Sequence, residues 1–287
     1  MPNIPTSNPF SGPLPMANPP ADMAIFHLPT GTYDTRAAFA FKGGSFRDVR
    51  HFAASAILVQ HPMGDLLIDA GFGDEVKSHI AMLPWYERPP HEVGRTVREQ
   101  LDAAGYDRTR LKGVVLTHSH WDHSGGLDVL EGTPVWMNAG ELQYAADDPG
   151  AKVYRSAVRG HKVHEYAFEK QSYLGFESTY DVHGDGSVVI ALAGGHTTGS
   201  VVVFVTLPSR KRYAFIGDLT WQIEGVRHRV ERPWLLAKLA DKDREKLREN
   251  LSLVIALEDR MQIVPSHDLV SYAGLPTLAA ADDQVKR

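Results

Sequence analysis

The chain of 287 residues contains no cysteine. Disulfides, thiolate metal ligands and a cysteine nucleophile are therefore excluded. Excess basic charge is also missing, since 30 Lys and Arg face 35 Asp and Glu for a net charge of -5. That balance offers no electrostatic footprint for nucleic acid. No apolar run approaches the ~20 residues needed to cross a bilayer, so no membrane partner is expected. The N-terminus lacks the charged and apolar blocks of a secretory signal. Together these absences fit a cytoplasmic protein acting on a small molecule.

Histidine is in surplus, at 14 residues. Imidazole is the commonest metal ligand, so the spacing of these residues carries information. Proline is also unevenly spread, with seven in residues 1–22. This stretch reads as an irregular or extended tail. Two readings stay open for it, a disordered segment or an arm that wraps a partner subunit in a homodimer. Residues 23–287 read as a single domain.

Within that domain, MAIFHLP (23–29) suits a short strand. SAILVQHPMGDLLIDAG (55–71) suits two strands joined by a tight turn at Pro62-Met63-Gly64-Asp65. Residues 91–104 carry Val93, Val97, Leu101 and Ala104 at helical spacing. KGVVLTH (112–118) and TPVWMN (133–138) read as strands, and a helix begins near Gly140. Residues 147–180 show little periodicity. SVVIALAG (187–194), SVVVFVTL (200–207) and RYAFIGD (212–218) are β-rich. Residues 241–259 read as a charged amphipathic helix whose ionic groups form a solvated face. MQIVPSHD (261–268) is a last strand. Strands alternating with helices, with β-rich blocks at both ends, point to an α/β domain with sheet against sheet and helices outside.

The chemistry concentrates in THSHWDH (Thr117 to His123). His118 and His120, two apart in an extended segment, point the same way and can bind one metal. Asp122 and His123 lie past a bend and suit a second metal nearby. Further ligands must come from afar, because such an ion takes three or four protein groups. His196, Asp218 and His267 each follow a β-rich run and are the candidates. A pair of divalent cations lowers the pKa of water towards 7, which supplies a nucleophile at neutral pH. Ser119 and Ser124 flank the cluster without a free base to activate them. The remaining histidines, among them His27, His51, His61, His79, His161, His164, His183 and His228, read as surface or packing residues.

Asp69 in LLIDAG, HSHWDH, GGHTTGS around His196, FIGD with Asp218 and PSHD with His267 occur in the order of the metallo-β-lactamase superfamily, which the chain resembles from about residue 23 to 272. The resemblance implies an αββα four-layer sandwich with the site at one edge of the paired sheets. It also implies two divalent ions, zinc first among them. His118, His120 and His196 would hold one, and Asp122, His123 and His267 the other. Asp218 would bridge both, Asp122 would accept or pass a proton, and Asp69 would orient the cluster from behind.

A bridging Asp218 argues against the true β-lactamases of the superfamily. The short stretch after His267 argues against the glyoxalase-type thioesterases, which add a helical domain there. The N-acyl homoserine lactonases resemble the chain best. They place a tyrosine three residues after the bridging Asp, where this chain has Trp221. An indole N–H donates but cannot act as an acid. Tyr33, Tyr144, Tyr166 and Tyr173 are the alternative sources of a hydroxyl. Trp85, Tyr86, Trp221 and Trp234, in variable stretches rich in aromatics, are the expected apolar wall for substrate. The functional expectation is a zinc-dependent hydrolase opening a small ester or lactone. Hydrolysis of a thioester, phosphodiester or β-lactam at the same site stays open, as does a single-iron redox enzyme or an inactive sensor.

Overall fold

Alternation along the β-rich runs sets the layers. In a strand, successive side chains point to opposite faces. Ile57 and Val59 therefore enter one buried cluster while Ala56 and Leu58 enter another. The same split recurs at Val201, Val203 and Val205 against Val202 and Phe204. Strands buried on both faces need cover on both faces. In the computed structural model, which describes residues 4–5 and 12–278, that cover comes from a second sheet inside and helices outside.

The first sheet comprises β1 (Ala24–Arg36), β2 (Val49–Gln60), β3 (Asp65–Ile68), β4 (His91–Val93), β5 (Leu111–Val115), β6 (Val135–Asn138) and β7 (Val163–Tyr166). Their spatial order is β4-β1-β2-β3-β5-β6-β7. The second comprises β8 (Thr179–Asp181), β9 (Val188–Leu192), β10 (Val201–Thr206), β11 (Arg212–Phe215) and β12 (Gln262–Val264), in the order β12-β11-β10-β9-β8. Ile25, Ile57, Ile68 and Val115 of the first sheet meet Ile190, Val203, Phe215 and Val264 of the second. Val97, Leu101 and Tyr144 cover the far face of the first sheet. Leu247, Leu251 and Val254 of the helix Arg244–Ile255 cover the far face of the second. The architecture is the αββα sandwich.

Strand direction places the site. β3, β5 and β6 run parallel. β9 and β11 both lie antiparallel to β10, so they share a direction, and β12 is parallel to β11. The carboxyl ends of β3, β5, β9, β11 and β12 lead into Asp69, His118, His196, Asp218 and His267 respectively.

Two elements differ from expectation. The helix expected over 91–104 is a strand, β4, followed by a shorter helix, Val97–Ala103. Thr96 accepts from the Glu99 N–H and Glu99 accepts from the Thr96 N–H, a capping box that starts the helix six residues late. The strand expected to stop at Pro29 runs on to Arg36 after a register shift between Pro29 and Gly31. Proline has no N–H for the ladder and is tolerated at such an irregularity. The continuation is half-exposed and lacks clean alternation, so its sequence does not announce a strand.

The described part of the tail lies along the chain's own surface without helix or strand from 12 to 20. Arg212 donates to the Pro15 carbonyl at 2.6 Å, and Asn18 N–H donates to Asp185 O at 2.8 Å. Residues 1–3, 6–11 and 279–287 lie outside the described residues. No helix among the described residues is long and apolar enough to cross a membrane.

Burial has a readable consequence at His27, which stacks on Tyr272 at 4.2 Å and meets the Ser55 hydroxyl at 2.9 Å. Burial pushes its imidazole down to about 4 from 6.5. The folded state therefore binds fewer protons between those values, so this contribution is complete above pH 6.5 and is lost as pH falls towards 4. The unfolding free energy of the wild type minus that of His27→Gln should shrink over that window in urea denaturation. A difference that stays constant would count against this placement of the proton.

Candidate metal centre

The turn after β3 is the first support. Asp69 adopts a left-handed backbone with φ of 58°, a strained state for a residue with a Cβ. Its carboxylate offsets that by accepting from Thr117 N at 2.7 Å, Thr117 Oγ1 at 2.9 Å and His123 Nδ1 at 2.8 Å. Asp69 thus ties the end of β3 to the His118–His123 segment. Glu141, fully buried, accepts from Ser119 N and Oγ at 2.7 Å and from Thr197 Oγ1 at 2.5 Å. That links the same segment to the loop carrying His196.

These ties bring the seven expected residues into two adjoining sets. In the first, His120 Nδ1 lies 3.0 Å from both His118 Nε2 and His196 Nε2, and Asp218 Oδ2 lies 3.4 Å from His196 Nε2. In the second, His123 Nε2 and His267 Nε2 are 3.3 Å apart, with Asp122 Oδ2 3.5 Å from His267 Nε2. Asp218 faces both sets. Its Oδ1 lies 3.1 Å from His267 Nε2 and 3.3 Å from His123 Nε2.

The outward nitrogens decide what the inward ones are. His267 Nδ1 meets the Ala53 carbonyl at 2.8 Å, so it must donate. His123 Nδ1 meets Asp69, and His196 Nδ1 meets the Asp241 carboxylate at 3.0 Å. In the neutral rings all three Nε2 atoms therefore present lone pairs to one another and to Asp218. Asp218 Oδ1, buried, has no hydrogen-bond partner of its own. Converging lone pairs and an unpartnered carboxylate oxygen fit cations, which carry no lone pair and accept several donors at once. The residues present thus fit two divalent ions, one per set.

Protonation without a cation follows the same charges. Burial drives His118 well below its usual value and His120 down to about 3. At His123 burial acts in the same sense, but Asp69, Asp218 and Asp122 outweigh it and push the ring up. At Asp218 burial opposes charge, yet His267, His123 and His118 hold the carboxyl well below the usual range.

Of the four candidate tyrosines, Tyr33 donates to Asp122 Oδ2 at 2.6 Å, and Tyr144 meets His120 Nε2 at 2.8 Å. Tyr166 packs between the sheets and Tyr173 under the helix Arg244–Ile255. Trp221 donates from Nε1 to Asp218 Oδ2 at 2.7 Å. Trp85, Tyr86 and Trp234 are 80%, 68% and 57% exposed, with Trp85 packed edge-on against Tyr86 and Lys238 over Trp234. The aromatics beside the second set are Tyr33, Phe52, Trp121 and Trp221. The Ser119 and Ser124 hydroxyls donate to Glu141 and to the His120 carbonyl. Asp241 belongs to no solvated helix face; the helix starts at Arg244, capped by Asp243, and the Asp241 side chain is buried on His196. Glu141, Asp241 and Arg232 escaped the sequence reading because a lone charged residue in a loop or helix carries no local signal of burial.

Two adjoining His/Asp donor sets at the common edge of two stacked sheets are the mark of a metallo-hydrolase. The chain belongs to the metallo-beta-lactamase superfamily, whose sequence model matches residues 49–267. It is 26% identical over 228 residues to a probable metallo-hydrolase of Mycobacterium tuberculosis, covering 74% of this chain and 73% of that one. It is 25% identical over 226 residues to the N-acyl homoserine lactonase AttM of Rhizobium johnstonii, covering 75% and 82%. Among solved structures, a quorum-quenching N-acyl homoserine lactone lactonase superposes with a TM-score of 0.70 at 16% identity, over 91% of this chain and 98% of that one. The dizinc lactonase AidC, with product bound, superposes at 0.60 and 16% identity, over 88% and 90%.

Removing the Asp69 carboxylate frees both Thr117 and His123. Asp69→Ala should weaken zinc binding by about 10- to 100-fold, read by competition with a chromogenic chelator. Wild-type affinity in that variant would remove Asp69 from the centre's support.

Proposed function

We propose that this protein is a dinuclear metal-dependent hydrolase, zinc being the first candidate, that opens a small ester or lactone. The observation that carries the reading is Asp218, one of whose oxygens faces each donor set. His118, His120, His196 and Asp218 would hold one ion; Asp122, His123 and His267, with Asp218, the other. Bound there, such ions supply Lewis acidity and lower the pKa of water towards 7. Asp122, with one oxygen on Tyr33, is the carboxylate placed to take up a proton.

The surroundings favour an uncharged substrate. Tyr33, Trp121 and Trp221, packed with the buried Phe52, are the aromatic groups beside the second set. The neighbouring cations are spoken for: Arg232 pairs with Asp241, and Lys242 with Asp148 at 2.5 Å. That disfavours a phosphodiester and suits a neutral acyl group. Similarity to lactonases such as AttM supports the same choice. The hydroxyl that those lactonases place after the bridging Asp is supplied in this reading by Tyr33, from a different strand, because Trp221 is committed to Asp218.

A panel of N-acyl homoserine lactones, aryl esters, thioesters and phosphodiesters, assayed with and without chelator, tests the proposal. Lactones or esters should be the best substrates, and chelation should abolish turnover. His120→Ala should lower the best activity by at least about a hundredfold, more than the loss typical for a supporting residue. Turnover that survives chelation, or a near-normal His120→Ala, would refute it. Tyr33→Phe should cost roughly tenfold or more in kcat, with KM little changed; a kcat equal to wild type would remove the hydroxyl from the chemistry.

A further inference from the structure

We propose that Arg232 is a positioning residue that builds the first half of the metal centre, acting through Asp241 and Trp221. The proposal rests on the metal-centre reading above. Arg232 follows the helix Glu224–Arg227 and precedes the helix Trp234–Ala240, yet its side chain is only 2% exposed. A guanidinium is buried at high cost unless its charge and N–H groups are met. Here the charge is met by Asp241, whose Oδ1 accepts from Nη1; Nη2 donates to the Asp218 main-chain carbonyl, Nε has no partner among the described residues, and the planar group lies 4.4 Å from the Trp221 ring centre.

Each of those three contacts leads to a proposed ligand. Asp241 Oδ1 also accepts from His196 Nδ1 at 3.0 Å, which turns Nε2 of that ring inward. The Asp218 carbonyl fixes the backbone from which the bridging carboxylate springs. Trp221, held under the guanidinium, donates to Asp218 Oδ2 at 2.7 Å, the oxygen that faces His196. One cation therefore sets both His196 and Asp218 at one remove. The second set is supported otherwise, His123 by Asp69 and His267 by the Ala53 carbonyl and by Gln222 on its own carbonyl. Support by Arg232 thus falls chiefly on the first set, through His196 and the Asp218 oxygen that faces it, and touches the second only through the shared Asp218. The arrangement also accounts for Trp221 itself: its indole N–H is spent on the bridging carboxylate.

A buried ion pair adds little net stability, and replacing both partners with apolar groups is often neutral for folding, whereas removing one alone is costly. The informative variant is therefore the double change Arg232→Met with Asp241→Leu, accompanied by Arg232→Lys, which keeps the charge but loses the planar fork. Metal-free proteins are titrated with Zn2+ against a chromogenic chelator and with Co2+ by visible absorption, and their metal-free thermal melts are compared. The wild type should take up two ions. The double variant should melt like the wild type and keep one ion at near-wild-type affinity, with the other weakened by about 10- to 100-fold. Arg232→Lys should fall between. Two ions at wild-type affinity in the double variant, or equal weakening of both, overturns the proposal. If the double variant does not fold, Arg232→Lys decides alone, a wild-type two-step titration being the overturning result. A wild-type protein that binds no ion sinks the metal-centre reading itself, a separate outcome.

Discussion

Lone pairs that face one another are the constraint on which this structure turns. Three imidazoles donate outward from Nδ1, to Asp69, Asp241 and the Ala53 carbonyl, and so present Nε2 inward. A neutral imidazole has one N–H, so an outward donor fixes an inward acceptor. Packed against Asp218 in a buried space, these acceptors are stable only around positive charge. The support therefore does more than hold rings in place. It selects the tautomer that offers Nε2 lone pairs to a cation.

The sandwich exists, in functional terms, to bring these outward partners together. β3 and β5 of one sheet and β9, β11 and β12 of the other release the chain at a common edge. Asp69 and Glu141 then cross-link the released segments, Asp69 within the first sheet and Glu141 between the β5 and β9 ends. Asp69 accepts a left-handed backbone in the process, a local strain that its three hydrogen bonds outweigh. The aromatic groups beside the site come from the same framework, Tyr33 from β1, Phe52 from β2 and Trp121 from the helix Trp121–Ser124, with Trp221 alone in an irregular segment.

The two halves of the centre are not equivalent in how they are held. One half depends on a buried cation and its partners, drawn from the chain around residues 218–241. The other depends on the Asp69 carboxylate and the Ala53 carbonyl of the first sheet, with the Gln222 amide on the His267 carbonyl. Tyr33 reaches Asp122 from β1, and Trp221, packed on Phe52 beside the second set, donates to the shared Asp218.

Much of the fold and the seven central residues were legible in the sequence. Apolar alternation marked the strands, and HSHWDH with the later His196, Asp218 and His267 marked the site, because ligand chemistry restricts residue type at each position. The capping at Thr96 and the run of β1 beyond Pro29 were less legible, since the first overrides helical spacing and the second lacks alternation. What only the tertiary structure decided is the supporting set: Tyr33 among four tyrosines, Glu141, Asp241, Arg232, and the turning of Trp221 onto Asp218. Residue type says that a group can donate, accept or bind a metal. Which partner it meets depends on segments far apart in the chain, 214 residues in the case of His267 and Ala53, and that is a property of packing alone.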